Sequence, residues 1–284
     1  GAMTDYFNVS SGLKQGCLLS PILFNMFLND LTIEIKATGC GVDISGQKVS
    51  VLLYADDIVC IAENESDLQK MLNVIHDWCK RWSMAVNTKK TQIMHFRLPS
   101  VPRTEFPFVM GENTILITDK YKYLGLVLTE FLDYNVTVSV VAKSAGRALG
   151  LLIAKCKAYG GMPFECYTKL YDSLVQPVID YGASIWGTKE YKCIQAVQHR
   201  ACRFFMGLGK YTPNVGIIGD MGWTLPMQRQ WICVTRQWCR LINMDNSRIN
   251  KKVFEWSIDN SCHRVNKSIG TRFNYPSASI ISNK

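Results

Sequence analysis

Val51-Leu52-Leu53-Tyr54-Ala55-Asp56-Asp57-Ile58-Val59-Cys60-Ile61 sets two adjacent carboxylates between two apolar runs rich in β-branched residues. The runs read as paired strands and the acids as the tip of the hairpin that joins them. Successive side chains on a strand point to opposite faces, so only one of Asp56 and Asp57 projects fully into a given site while the other supports it or points away. A bare Asp-Asp at a hairpin tip is ordinarily a solvated turn, because Asp tolerates turn geometry. Here the Tyr-Ala-Asp-Asp tip interrupts a stretch that otherwise keeps charge out, and the flanking blocks decide its meaning.

Upstream, Ser11-Gly12-Leu13-Lys14-Gln15-Gly16-Cys17-Leu18-Leu19-Ser20-Pro21 is a glycine-bearing loop that leads into a helix. Ser20 is placed to cap that helix, and Pro21 fits its first turn. Downstream, Leu68, Met71, Leu72, Ile75, Trp78, Cys79 and Trp82 recur near helical spacing and predict an amphipathic helix from about Ser66 to Trp82. Asn87-Thr88-Lys89-Lys90-Thr91 follows, and Tyr121-Lys122-Tyr123-Leu124-Gly125-Leu126-Val127-Leu128 reads as another strand pair.

Taken together, these blocks resemble the palm of reverse transcriptases, specifically those of LINE-type (non-LTR, jockey-like) retrotransposons. The resemblance continues through Leu170–Gly187, Val197–Arg203, Thr212-Pro213-Asn214 and Gly219–Trp223, which look like the thumb-region signature of the same elements. It runs from Phe7 to roughly Arg240. The fold it implies is α+β. A three- or four-stranded antiparallel palm sheet carries Tyr54 to Asp57, backed by the Pro21 and Ser66 helices, and a mostly helical thumb begins at about Phe131. The expected division is a cleavage scar or start at 1–3, partial palm at 4–130, thumb at 131–240 and a C-terminal extension at 241–284.

By that resemblance, Asp56 matches the catalytic aspartate and Asp57 its neighbour, and both would ligate Mg2+ or Mn2+ in an active enzyme. Polymerases of this kind use two divalent ions roughly 3.5–4 Å apart, held by carboxylates from two strands. The second strand belongs to a motif well upstream of the glycine loop. Asp5 is the sole acid before that loop and stands too close to Gly12 to supply it. The chain alone is therefore expected not to polymerise. Gly1-Ala2 looks like a protease scar and Met3 either part of it or a native start, with a natural truncation the favoured expectation.

The resemblance assigns further roles. Gln15 and Gly16 would lie against the templating base pair, with Gly12 and Lys14 lining the same approach; the bland alternative is a loop that starts a helix. Lys90 would be the general acid for the leaving pyrophosphate, with Lys89 beside it leaving the choice open; on sequence alone a solvated lysine pair after a helix is the favoured alternative. Tyr54 would pack beneath the nucleotide's sugar, or be a buried strand tyrosine. Tyr123 and Gly125 would form the primer-grip turn, or a plain strand kink. Trp186 and Trp223 read as core anchors.

The chain has 48% apolar and 19% charged residues, as a protein with a sizeable core does. No run is expected to approach the length of a membrane-spanning helix and no secretory start is seen, so an intracellular place, nucleus or cytoplasm, is expected. Eleven cysteines without a Cys-x-x-Cys pair suggest reduced, mostly buried thiols. The spacing of Cys233, Cys239, Cys262 and His263 does not suit a zinc knuckle. His76, His95 and His199 stand singly and carry no assigned chemistry.

Net charge is +9, and dividing the chain after Glu130 separates it: 20 basic against 9 acidic residues give +11 on the C-terminal side, and 12 against 14 give −2 on the other. Lys143, Arg147, Lys155 and Lys157 on one predicted helix, and Arg200 and Arg203 on another, are candidate phosphate contacts for RNA or an RNA/DNA hybrid. A solvated basic face, with Ala142, Ala145, Leu149 and Leu152 opposite it, is the equal alternative. Two functions follow from different classes. One is a non-catalytic remnant that binds nucleic acid, or a protein partner or second copy through an incomplete palm. The other is a fragment of an active RNA-directed DNA polymerase completed by an upstream segment or second chain.

Overall fold

A computed structural model describes residues 16–266, which are α+β and divide into two units after Asp119. In the first unit Ser20–Ala37 forms α1, with Pro21 in its first turn. Ser20 does not cap it. Leu19 already has helical backbone angles at the cap position, which places Ser20 inside the first turn, and no side-chain cap bond forms. The strands β1 (Val42–Ile44), β2 (Gln47–Val49), β3 (Val51–Tyr54) and β4 (Asp57–Cys60) follow, then α2 (Glu65–Arg81). Four two-residue strands complete the unit: β5 (Gln92–Ile93), β6 (Val109–Met110), β7 (Asn113–Thr114) and β8 (Leu116–Ile117).

The predicted amphipathic helix is α2. The Asn64 side chain caps it, accepting from the Asp67 N–H at 2.8 Å, an interaction that contributes about 1 kcal/mol in typical helices. Glu65 and Asp67 lie in its positive first turn and Lys80 and Arg81 in its negative last turn. Its buried residues Leu68, Met71, Leu72, Ile75, Trp78 and Cys79 pack with Leu28, Leu31 and Ile35 of α1 and with Val51, Ile58 and Cys60 of the hairpin. Arg81 grips Glu34 of α1 through two hydrogen bonds of 3.1 and 2.8 Å. Gln69 pairs with the backbone of Val109, donating to its carbonyl at 2.8 Å and accepting from its N–H at 3.0 Å. A side-chain amide thus fixes the β6–β7 ribbon to α2.

The expected three- or four-stranded sheet is not found among the described residues. Strands pair only in twos: β1–β2, β3–β4 and β6–β7 antiparallel, β5–β8 parallel. The reason lies at Ser50. Residues 47–54 are nearly continuous strand, yet β2 pairs with β1 and β3 pairs with β4, so one run serves two ladders in series instead of lying side by side with both. Ser50 is buried at the handover, donating to the Cys40 carbonyl at 2.6 Å and accepting at its own carbonyl from the Ile61 N–H at 2.8 Å.

The second unit opens with the hairpin β9 (Lys120–Tyr123) and β10 (Leu126–Thr129), which the sequence grouped with the first region. Its helices are α3 (Tyr134–Ala158), α4 (Phe164–Leu174), α5 (Gln176–Asp180), α6 (Ala183–Trp186), α7 (Lys192–Met206), α8 (Asn214–Met221), α9 (Pro226–Ile242) and α10 (Ile249–Asn266). The hairpin packs on α3, where the Thr137 hydroxyl donates to the Val127 carbonyl. One expectation about α3 is corrected: its 25 residues are long and apolar enough to cross a bilayer, with a mean hydropathy of 1.5 over an 18-residue window. That apolarity has an internal use, since Val138, Val141, Ala142, Ala145, Leu149 and Leu152 are the buried stripe of this unit's core.

Around that stripe the aromatic residues act as anchors. Trp186 is buried and donates to the Tyr181 carbonyl at 3.1 Å. Trp223 stacks on Tyr171 at 4.3 Å between ring centroids and donates to the Thr168 hydroxyl at 3.3 Å. Tyr167 is buried and donates to the Ala201 carbonyl at 3.0 Å, tying α4 to α7. Both tryptophans are anchors, as the sequence suggested.

Candidate functional site

Tyr54 pairs with Asp57 at the end of the β3–β4 ladder, which leaves Ala55 and Asp56 as a two-residue turn. Ala55 has φ +51°, whereas Asp56 is not in the left-handed region, the φ signs of a type II′ turn. Glycine is the usual residue at that first position, and an L-residue there costs about 1–2 kcal/mol. The strained turn lifts Asp56 into an exposed position, and Asp57, first residue of β4, is half-buried beside it. Tyr54 is 61% exposed, so the buried-tyrosine alternative does not hold. At the other end of the ladder, opposite Val51, Cys60 is buried, and burial pushes its thiol up to about 12, which keeps it protonated and inert.

Asp56 also borders a cavity of about 180 Å³ whose wall includes Phe24, Trp78 and Asn87. Among the described residues the buried Trp78 indole N–H has no hydrogen-bond partner. Asn87 organises the adjoining loop, its carbonyl accepting from the Lys90 and Thr91 N–H groups at 3.0 and 2.9 Å. Lys89 and Lys90 are exposed on that loop. The fold thus joins the Asp56 turn to the start of the lysine loop through Asn87, a residue the sequence reading quoted without a role. Its one signal was the Asn-Thr-Lys-Lys turn chemistry.

Gly12, Lys14 and Gln15 lie outside the described residues, as does Asp5. Gly16 has φ +83°, a conformation that suits glycine, just before α1. The Cys17 sulfur next to it accepts from the N–H groups of Leu19 and Ser20, which hold its thiol below the usual value. The ten described cysteines are free thiols, but only five are buried; Cys166, Cys193 and Cys239 are exposed, because apolar patterning on a helix does not say which edge of the stripe faces solvent.

The second hairpin turn is built differently. Leu124 and Gly125 both have positive φ, +44° and +85°, the signature of a type I′ turn between Tyr123 and Leu126. Tyr181 sits on it, its hydroxyl donating to the Leu124 carbonyl, and a Cβ on Gly125 would come within 2.9 Å of the Tyr181 ring. Sequence reasoning found Tyr123 and Gly125 but missed Tyr181, whose partner lies 57 residues away.

Lys143, Arg147, Lys155 and Lys157 are exposed on α3, and Arg147 donates to Ser144 at 2.9 Å. Arg200 is exposed on α7. Arg203 is half-buried and bonds the following loop, donating to the Thr212 carbonyl at 3.0 Å and to the Asn214 side chain. Between α3, α7 and that loop lies a groove of about 690 Å³, bordered by His199, Arg200, Arg203 and Lys210. Burial, and then the Arg203 charge, hold His199 below the usual imidazole range.

Residues 2–128 match the family described as reverse transcriptase (RNA-dependent DNA polymerase). Over 220 residues the chain is 27% identical to a probable RNA-directed DNA polymerase from transposon BS of Drosophila melanogaster, covering 74% of this chain and 24% of that protein. It is 25% identical over 186 residues to the RNA-directed DNA polymerase from mobile element jockey of Drosophila funebris, covering 63% and 20%. It is 32% identical over 133 residues to the Pol polyprotein of the type-1 retrotransposable element R2 of Popillia japonica, covering 44% and 19%. Over residues 2–128 the chain belongs with the reverse transcriptases, and these relatives are those of LINE-type retrotransposons. It spans about a quarter or less of the length of these three relatives.

Reverse transcriptases use a divalent metal, which gives a fit to test. Asp56 and Asp57 offer hard oxygen ligands on one turn, but no group of three or more His, Cys, Asp or Glu able to hold an ion occurs among the described residues. Two adjacent carboxylates do not by themselves complete a reverse transcriptase's metal site.

Proposed function

We propose that this chain is a reverse-transcriptase-derived protein that binds RNA or an RNA/DNA hybrid and does not extend a primer on its own. Residues 4–130 act as a partial palm, 131–240 as a thumb and 241–284 as an extension. The observation that carries the reading is the Tyr-Ala-Asp-Asp turn, which presents Asp56 and Asp57 with no third metal-ligating group beside them among the described residues. Removing a carboxylate ligand from a two-metal site removes the field that lowers the barrier to nucleotide addition. Exposed Lys143, Arg147 and Arg200 on a unit rich in positive charge supply the phosphate attraction.

The test is nucleotide incorporation on poly-rA primed with oligo-dT, in Mg2+ or Mn2+, against Asp56→Ala. Equal background from both proteins is expected; incorporation that depends on Asp56 would overturn the non-catalytic reading. A second reading is favoured by one observation. Leu18, Leu19, Ile22 and Met26 on and before α1, and Leu52, Leu53 and Tyr54 on β3, are exposed apolar side chains that another segment or chain could cover. In that reading the chain is part of an active RNA-directed DNA polymerase, completed by an upstream segment or a second chain, and incorporation would appear once that part is added.

A further inference from the structure

We propose that the groove between α3, α7 and the α7–α8 loop is a site for single-stranded nucleic acid, with Tyr211 as its base-stacking platform. This rests on the nucleic-acid reading above and says which form of strand this part of the molecule takes. Arg200, Arg203 and Lys210 border the groove, no acidic residue does among the described residues, and Ile153 and Phe204 give it an apolar lining. Next to Lys210, Tyr211 is 86% exposed, and the Lys210 ammonium lies 4.8 Å from its ring centroid. A large aromatic ring left that open in a loop, with a cation over one face, offers its other face to a base and a charge to the adjoining phosphate.

The loop is held in place. Arg203 ties its far side down through Thr212 and Asn214, and the Arg203 Nε is buried without a partner among the described residues. Arg203 thus serves to hold the loop, and Arg200 and Lys210 are the groove's exposed cations. A duplex presents phosphates and groove edges but keeps its base faces stacked, so an exposed ring adds little to duplex binding. An unstacked strand can use the ring and the cations together. Phosphates and base faces are common to RNA and DNA, so strands of either kind are expected to bind alike.

The test uses the full chain and fluorescence anisotropy with labelled oligo(U), oligo(dT) and an RNA/DNA hybrid of equal length, about ten nucleotides. Tyr211→Ala is expected to weaken single-strand binding about tenfold or more, with Tyr211→Phe restoring it, while hybrid binding changes less than about twofold. Arg200→Gln is expected to weaken single-strand binding and to flatten its salt dependence by about one unit of slope. Equal loss for strand and hybrid in Tyr211→Ala, or no loss for either, overturns the site. So does equal competition by a poly-glutamate peptide or by a nucleoside monophosphate. Hybrid binding without single-strand binding in the unaltered protein overturns the groove but leaves the nucleic-acid reading standing; binding of neither at low salt overturns both.

Discussion

Two hairpins in this chain close on two-residue turns that follow a tyrosine, Tyr54-Ala55-Asp56-Asp57 in the first unit and Tyr123-Leu124-Gly125-Leu126 in the second. They have been put to opposite uses. The second has a glycine where φ is +85° but a leucine where φ is +44°, and the Tyr181 hydroxyl bonds that leucine's carbonyl, so a tertiary contact holds the left-handed residue in place. The first has alanine where glycine would be easier, and acids at a solvent-facing tip. A tertiary hydrogen bond holds the strained leucine of one turn; the strained alanine of the other stands at an exposed tip. A left-handed L-residue is common to both turns; they differ in what they present, two carboxylates at the first tip and a Tyr181 hydrogen bond at the second.

The largest way to break this comparison is Gly125→Ala. A left-handed alanine costs about 1–2 kcal/mol, and its methyl would press the Tyr181 ring, so a loss of about 2 kcal/mol is expected in urea denaturation followed by tryptophan fluorescence. Tyr181→Phe should cost less, about 1 kcal/mol, the usual net value of one hydrogen bond, with the ring packing retained. The smallest effect has the opposite sign. Ala55→Gly relaxes φ +51° but adds freedom to the unfolded chain, and a gain of about 0.5 kcal/mol is expected in the same denaturation. A loss in Ala55→Gly would mean that the alanine methyl packs usefully and that the first turn is not strained.

Much of this was legible in the chain. The α2 stripe, the two hairpins and the α3 core face announce themselves by period, because each is set by neighbours three or four residues away on a helix or two on a strand. The Asp56 turn was legible for the same local reason. What escaped came from distance: Tyr181 over Leu124, Asn87 beside Asp56, and Lys210 and Tyr211 set against α7 by Arg203. The sheet width escaped too, since strand pattern gives faces but not partners. The length of the apolar run at α3 escaped as well, since Tyr134–Ala158 is long and apolar enough to cross a bilayer.

The handover at Ser50 has an evolutionary consequence. Because Gln47 to Tyr54 is one run that pairs first with β1 and then with β4, its length works like a ruler between two ladders. Inserting or deleting a single residue there would turn Asp56 to the opposite side while leaving both hairpins able to form. Replacement is easier at the run's exposed positions, such as Lys48 and Leu52, than a change in the run's length. An indel in this short interval would be a sharper sign of lost chemistry than replacement of the acids' neighbours.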